Sequence, residues 1–110
     1  MAIRLDKPWT PLGAEAVRRL PGQLGVFELA DGEGRTLEIG YAGGRSLFGL
    51  RSAVEEARQR QPEARRFRVE ITMQYQTRYR ELLMLHVADH GTLPPGNRGE
   101  PIRLGRLSPL

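Results

Sequence analysis

Every basic residue of the chain except Lys7 is an arginine, and the 17 basic residues stand against 13 acidic ones for a formal charge of +4. A guanidinium offers a planar fork of donors that meets phosphate oxygens two at a time, whereas an ammonium is a strongly hydrated point charge. Phosphate is therefore a natural partner, the ordinary alternative being a solvated arginine-rich face. His86 and His90 stand four apart, the spacing of the zinc motif His-Glu-x-x-His. Val87 follows the first histidine and no third ligand is evident, so two imidazoles placed favourably at a helix C-terminus account for the pair. The glycines between Gly40 and Gly44 lack the full spacing and the Lys-Ser/Thr ending of a phosphate loop, and strand termination explains them.

A second set of residue types bears on phosphodiester chemistry. Hydrolysis requires an activated water, charge stabilisation on the phosphoryl oxygens and stabilisation of the leaving oxygen. Arg51 is charged at any physiological pH; on spacing alone it reads as a surface partner of Glu55 at i,i+4. Tyr41 carries a phenol that titrates near ~10, so work as a base at neutral pH asks for about 3 units of phenolate stabilisation. Its ordinary use is as an aromatic on a strand face. Glu81, amid Tyr79, Leu82 and Leu83, needs a cation or a route to water, and Arg78 and Arg80 are both near in sequence.

Length and composition set the frame for these groups. A chain of 110 residues fits one domain with one core. Cysteine is absent and no long apolar run occurs, so disulfides, a secretory signal and a membrane span are not expected, and the expected compartment is cytoplasmic. No internal repeat of solenoid length is present.

The elements that must position the groups follow from pattern. Thr10-Pro11 predicts the opening of a short helix reaching about Leu20, which Pro21-Gly22 stops. Gly25 to Ala30 and Thr36 to Ala42 predict two strands joined by the Asp31-Gly32-Glu33-Gly34 turn, with Leu37, Ile39 and Tyr41 on one face. Ser46 is the expected cap of a helix carrying Leu47, Leu50, Val54 and Ala57 at helical spacing, with Arg51, Glu55 and Arg58 along its flank. Phe67 to Tyr75 alternates as a strand, and the apolar Leu82-Leu83-Met84-Leu85 run marks a buried helix from about Arg78 to Asp89, ended by Gly91. From Thr92 onward the prolines and glycines predict an extended arm. Its Ile102, Leu104 and Leu107 would need shelter on the body or on a second subunit, and Ile3-Arg4-Leu5 is a candidate strand partner for Ile102-Arg103-Leu104. The fold class is α/β in the α+β sense.

This order of elements, with its motifs, resembles the GIY-YIG nuclease family. Gly25-Val26-Phe27 is similar to the family's first triplet and Tyr41-Ala42-Gly43 to its second. Arg51, ten residues after Tyr41, matches the arginine of the family's first long helix. Glu81 matches its metal-binding glutamate, and Pro94 to Asn97 is similar to its proline-to-asparagine segment. The resemblance covers residues 21–97, leaving residues 1–20 as an N-terminal extension and 98–110 as a C-terminal arm. It implies a small, mainly antiparallel three-stranded sheet flanked by helices, and a metal-dependent endonuclease. Tyr41 would be the base or water-positioner, Arg51 would stabilise phosphoryl charge, and Glu81 would hold Mg2+ or Mn2+. Gly43, Arg45 and Asn97 would bind substrate. The implied partner is nucleic acid, DNA ahead of RNA, and without an appended recognition module the expectation is weak intrinsic specificity or a separate targeting protein that supplies it. A homodimer through the apolar C-terminal arm is open beside either reading. Phe27 stands where the first motif has tyrosine and Gly44 where many members have lysine. These departures leave open a degenerate member that binds nucleic acid or protein without cleaving.

Overall fold

The turn at residues 31–35 is built by one side chain. In the computed structural model, which describes residues 3–99, the Asp31 carboxylate accepts from the amides of Glu33 and Arg35, both at 2.9 Å, and Gly34 takes φ 86°. Aspartate supplies such local bonds readily and glycine tolerates the left-handed backbone. The bond from the Arg35 amide is the main reason that the Asp31 carboxyl lies below its ordinary pKa.

In chain order the elements are β1 (Thr10–Pro11), α1 (Ala14–Arg18), β2 (Gly25–Ala30), β3 (Thr36–Ala42), α2 (Leu50–Arg60), β4 (Arg66–Ile71), α3 (Tyr75–His90) and a 3-10 turn, η1 (Pro95–Asn97). The strands form one sheet in the order β1-β4-β2-β3 with every pairing antiparallel, so the fold is α+β. The first motif strand, β2, lies between β3 and β4. It is covered on both faces, and all six of its residues are buried. On one face Phe27, Leu29, Ala42 and Phe67 pack with Leu50, Val54 and Ala57 of α2 and Val17 of α1. On the other Val26 and Ile39 pack with Leu82 and Leu83 of α3 and with Leu5. Each large side chain fully buried in this way contributes about 1.5–3 kcal/mol over its exposed state.

Several elements depart from the sequence-based expectation. Thr10 and Pro11 do not start a helix; they pair with Phe67 and Arg66 as a fourth strand, and the Leu12 amide donates to the Arg65 carbonyl at 2.9 Å. An edge position tolerates proline, which has no N–H to give. Strand β4 stops at Ile71 because Gly25, the first residue of β2, is its last partner. Thr72 then turns the chain by accepting from the Gln74 amide at 3.1 Å, and Tyr75 opens α3 three residues before the expected start. Ser46 caps nothing; Gly49, at φ 56°, is the N-cap of α2, and Leu47 is 83% exposed. Leu37 leaves the face of Ile39 and Tyr41. The register steps from Leu29↔Glu38 to Ala30↔Thr36, so Leu37 is the extra residue of a bulge and packs on the α2 side. Gly91 does end α3, at φ 80° with its amide on the Val87 carbonyl. Ile102, Leu104 and Leu107, and with them the proposed pairing to Ile3-Arg4-Leu5, lie outside the described residues, as does the arm beyond Gly99.

Candidate functional site

At one end of the sheet, where β3 stops, Tyr41 is 42% exposed and its ring stacks on Tyr75 at 5.6 Å between centroids and 15° between planes. Tyr79, one turn further along α3, meets it at 4.9 Å with a 59° tilt. The cluster depends on Gly43, since a Cβ there would lie 2.9 Å from the Tyr75 ring. The Gly44 amide donates to the Tyr75 hydroxyl at 3.4 Å, which ties the 43–49 loop to α3.

Two adjoining cavities open beside Tyr41. The larger, about 820 Å³, has walls from Gly43 to Phe48, from Ser52 and Glu56 of α2, and from Tyr75 and Gln76 of α3. The smaller, about 260 Å³, runs under β3 between Phe27, Gly40, Arg60, Tyr79 and Asn97. Tyr41, Ser46 and Glu56 line both. Glu38, buried on the smaller one, accepts from Arg60 at 2.6 Å and from Gln61 at 3.0 Å, so its charge is compensated.

Among the residues singled out from the sequence, Tyr41, Gly43 and Arg45 meet at the larger cavity and Phe27 borders the smaller one. Phe27 lies opposite Gly40 in the hairpin, and its ring occupies the space of the absent Cβ, 2.3 Å from where that atom would be. Asn97 also lies there, but its amide is spent on the backbone: Oδ1 accepts from the Ile39 amide at 2.9 Å and Nδ2 donates to the Ile39 carbonyl at 2.8 Å. Asn97 thus pairs the free edge of β3 as a strand would. It latches η1 in place, and on the cavity side its Nδ2 also donates to the Tyr79 hydroxyl at 3.4 Å.

Arg51 and Glu81 line neither cavity. Arg51 donates through Nε to the Leu20 carbonyl at 3.0 Å, on the α1 side of α2, and Glu55 pairs instead with Arg58 at 2.8 Å. The bond from Arg58 holds the Glu55 carboxyl below its usual pKa. Glu81 bonds to Arg78 and to the Ile3 amide, on the flank of α3 that faces β4. Arg78 in turn forms a two-pronged bond to Glu70 at 2.9 and 3.1 Å. Burial works against the Arg78 charge, but Glu70 and Glu81 outweigh it and raise its pKa above arginine's ordinary value. With its charge already answered and its carboxylate turned from the cleft, Glu81 does not fit the implied metal role. Among the described residues no group of three or more His, Cys, Asp or Glu side chains is placed to hold a metal ion. His86 and His90 face each other at 4.4 Å, with His86 Nδ1 2.9 Å from the Thr92 carbonyl oxygen.

Glu56, Ser52 and Tyr75 were not singled out from the sequence. Helical spacing places Ser52 and Glu56 on one flank of α2 and Arg51, Glu55 and Arg58 on the other. It carries no signal for which flank borders the sheet end. Tyr75 was hidden by its continuation of the β4 alternation.

The fold and cleft thus define an α+β domain with an aromatic and polar cleft at the open end of its hairpin. The chain belongs to the family described as Domain of unknown function (DUF7508), whose model matches residues 3–89. That span holds both walls of the cleft and stops short of η1. Comparison with curated proteins and with solved structures gives no match. Among the described residues, no helix is long and apolar enough to cross a membrane.

Proposed function

We propose that this chain is a nucleic-acid-binding domain of GIY-YIG-like architecture that holds the backbone without cleaving it, DNA being the expected partner. The observation that carries the reading is the separation of the three groups hydrolysis would need: Tyr41 lines the cleft while Arg51 and Glu81 are bonded on other flanks of their helices. Phe27 adds that the first motif has no hydroxyl to offer. Kinship is supported by the strand arrangement, since Gly25-Val26-Phe27 lies on the central strand and is paired to the strand that ends in Tyr41-Ala42. Binding is supported by the rim. Arg45 is exposed there, and Arg80 lies one turn beyond Gln76 on the same flank of α3. Neither has a carboxylate partner among the described residues. Targeting to a particular site would then come from a separate protein.

Fluorescence anisotropy with labelled oligonucleotides tests the reading. For about four phosphate contacts, log affinity falls with log salt at a slope of roughly −3 to −4, and the Arg45→Glu, Arg80→Glu double variant flattens that slope. An affinity indifferent to salt overturns the proposal. Incubating wild type and Phe27→Tyr with linear, nicked and branched DNA and structured RNA, with magnesium, manganese or chelator, is expected to give no product. Metal-dependent cleavage would instead favour an endonuclease built around Tyr41.

A further inference from the structure

The larger cavity has the wrong chemistry for a phosphate and the right chemistry for a base. Among the described residues Glu56 is the single acidic side chain of its lining; it is exposed, is held in no ion pair with them, and lines both cavities beside Tyr41. An anion placed against that carboxylate would be repelled. A base that carries an exocyclic amine would instead find an acceptor for its N–H groups. The volume of about 820 Å³ falls within the range of ligand-holding clefts. The walls are aromatic: Tyr41 is held against Tyr75, and Phe48, on the loop that lines the same cavity, is 53% exposed. An exposed phenyl ring on a soluble domain gains when a flat π-surface covers it. Arg45 lies at the same cavity, where a phosphate attached to an inserted base would stay outside and meet a guanidinium.

Resting on the nucleic-acid reading above, we infer that the cleft admits one unpaired, amine-bearing nucleobase, read by Glu56 between Tyr41 and Phe48, with the flanking phosphate on Arg45. A base in a duplex has its Watson–Crick edge occupied and must be flipped out before it can enter, a cost that a single strand does not bear. Thymine has no exocyclic amine, and its carbonyl oxygens would face the carboxylate, so thymine tracts are disfavoured. The choice of strand state and base is therefore made by the cleft and not by the arginine surface.

The test measures anisotropy of labelled dC12, dA12 and dT12 and of a 12-base-pair duplex, at one salt concentration, with wild type, Glu56→Gln and Phe48→Ala. Single strands of dC or dA are expected to bind about tenfold more tightly than the duplex, and dT12 about fivefold more weakly than dC12. Glu56→Gln, whose amide can donate as well as accept, should erase the difference between dC12 and dT12 while leaving duplex affinity unchanged. Phe48→Ala should weaken all single strands and leave the duplex alone. Both positions are exposed, so the fold is kept in each variant. Duplex binding equal to or tighter than single-strand binding, or base discrimination that survives Glu56→Gln, would overturn the inference while leaving the nucleic-acid reading intact. A wild-type protein that binds none of the four would remove the nucleic-acid reading itself.

Discussion

The two flanks of α3 treat charge in opposite ways. On the flank facing β4 and the N-terminal segment, Arg78 bridges Glu70 and Glu81, and Arg4 holds Asp89 at 2.5 Å. Nearby Arg68 meets the buried Glu28 at 2.8 Å, with the Trp9 ring 3.9 Å from its guanidinium carbon. The Thr36 hydroxyl completes the Glu28 carboxylate. A cavity of about 390 Å³ also opens there, but Arg4, Asp89, Glu28 and Arg68 in its walls are already bonded to one another. On the other flank, around Tyr41, Arg45 and Glu56 line the cleft outside any ion pair among the described residues. Charges that answer each other across elements hold a fold, whereas charges left at the mouth of a cleft are available to a ligand. The difference separates the residues of this chain that stabilise from those that can recognise.

Removing the bridge on the closed flank should have the largest effect. Arg78→Met strands Glu70 and Glu81 beside each other and should cost about 2–4 kcal/mol in urea denaturation, with oligonucleotide affinity per folded molecule unchanged. A loss under about 0.5 kcal/mol would mean that the paired flank is no more structural than the open one. Asn97→Ala should come next, at about 2 kcal/mol, because it leaves the Ile39 N–H and C=O without their partner at the sheet edge. If Asn97 instead bound substrate, affinity would fall and stability would hold.

The open flank should show the reverse. Glu56→Gln and Arg45→Ala should each alter stability by less than about 0.5 kcal/mol while changing oligonucleotide binding. An equal loss of stability there would erase the distinction between the flanks.

The smallest effect concerns His86. Burial, with the neighbouring His90 adding to it, holds its pKa below the ordinary 6.5; the bond to the Thr92 carbonyl, Glu28 and Asp89 pull the other way without cancelling it. The unfolded chain therefore takes up a proton at 6.5 while the folded one does not, and stability falls as pH drops below 6.5 until the lower folded value is passed. His86→Gln should make that part of the pH profile flatter, above the range where the carboxylates titrate. An unchanged profile would show that His86 is not the group responsible.

What could be read from the sequence was what local pattern and backbone chemistry decide. The hairpin follows from two short apolar strands around an aspartate and a glycine that want a turn, β4 from alternation, the apolar run of α3 from its leucines, and its end from Gly91. Each of those signals acts within a few residues. The rest depended on neighbours that the chain brings from far away. Thr10-Pro11 has the composition of a helix start and became a strand because β4 offered an edge. Leu37 has the right spacing for the Tyr41 face and lost it to a bulge set by pairing with β2. Arg51, Glu81 and Asn97 had the residue types for a phosphodiester site, yet their atoms are bonded to Leu20, to Arg78 and to Ile39. Helical periodicity tells which residues share a stripe, but a stripe acquires a role only when packing turns it toward a cleft. That rotation belongs to the tertiary structure, because it is set by which apolar faces bury each other and not by the polar residues that go along with them.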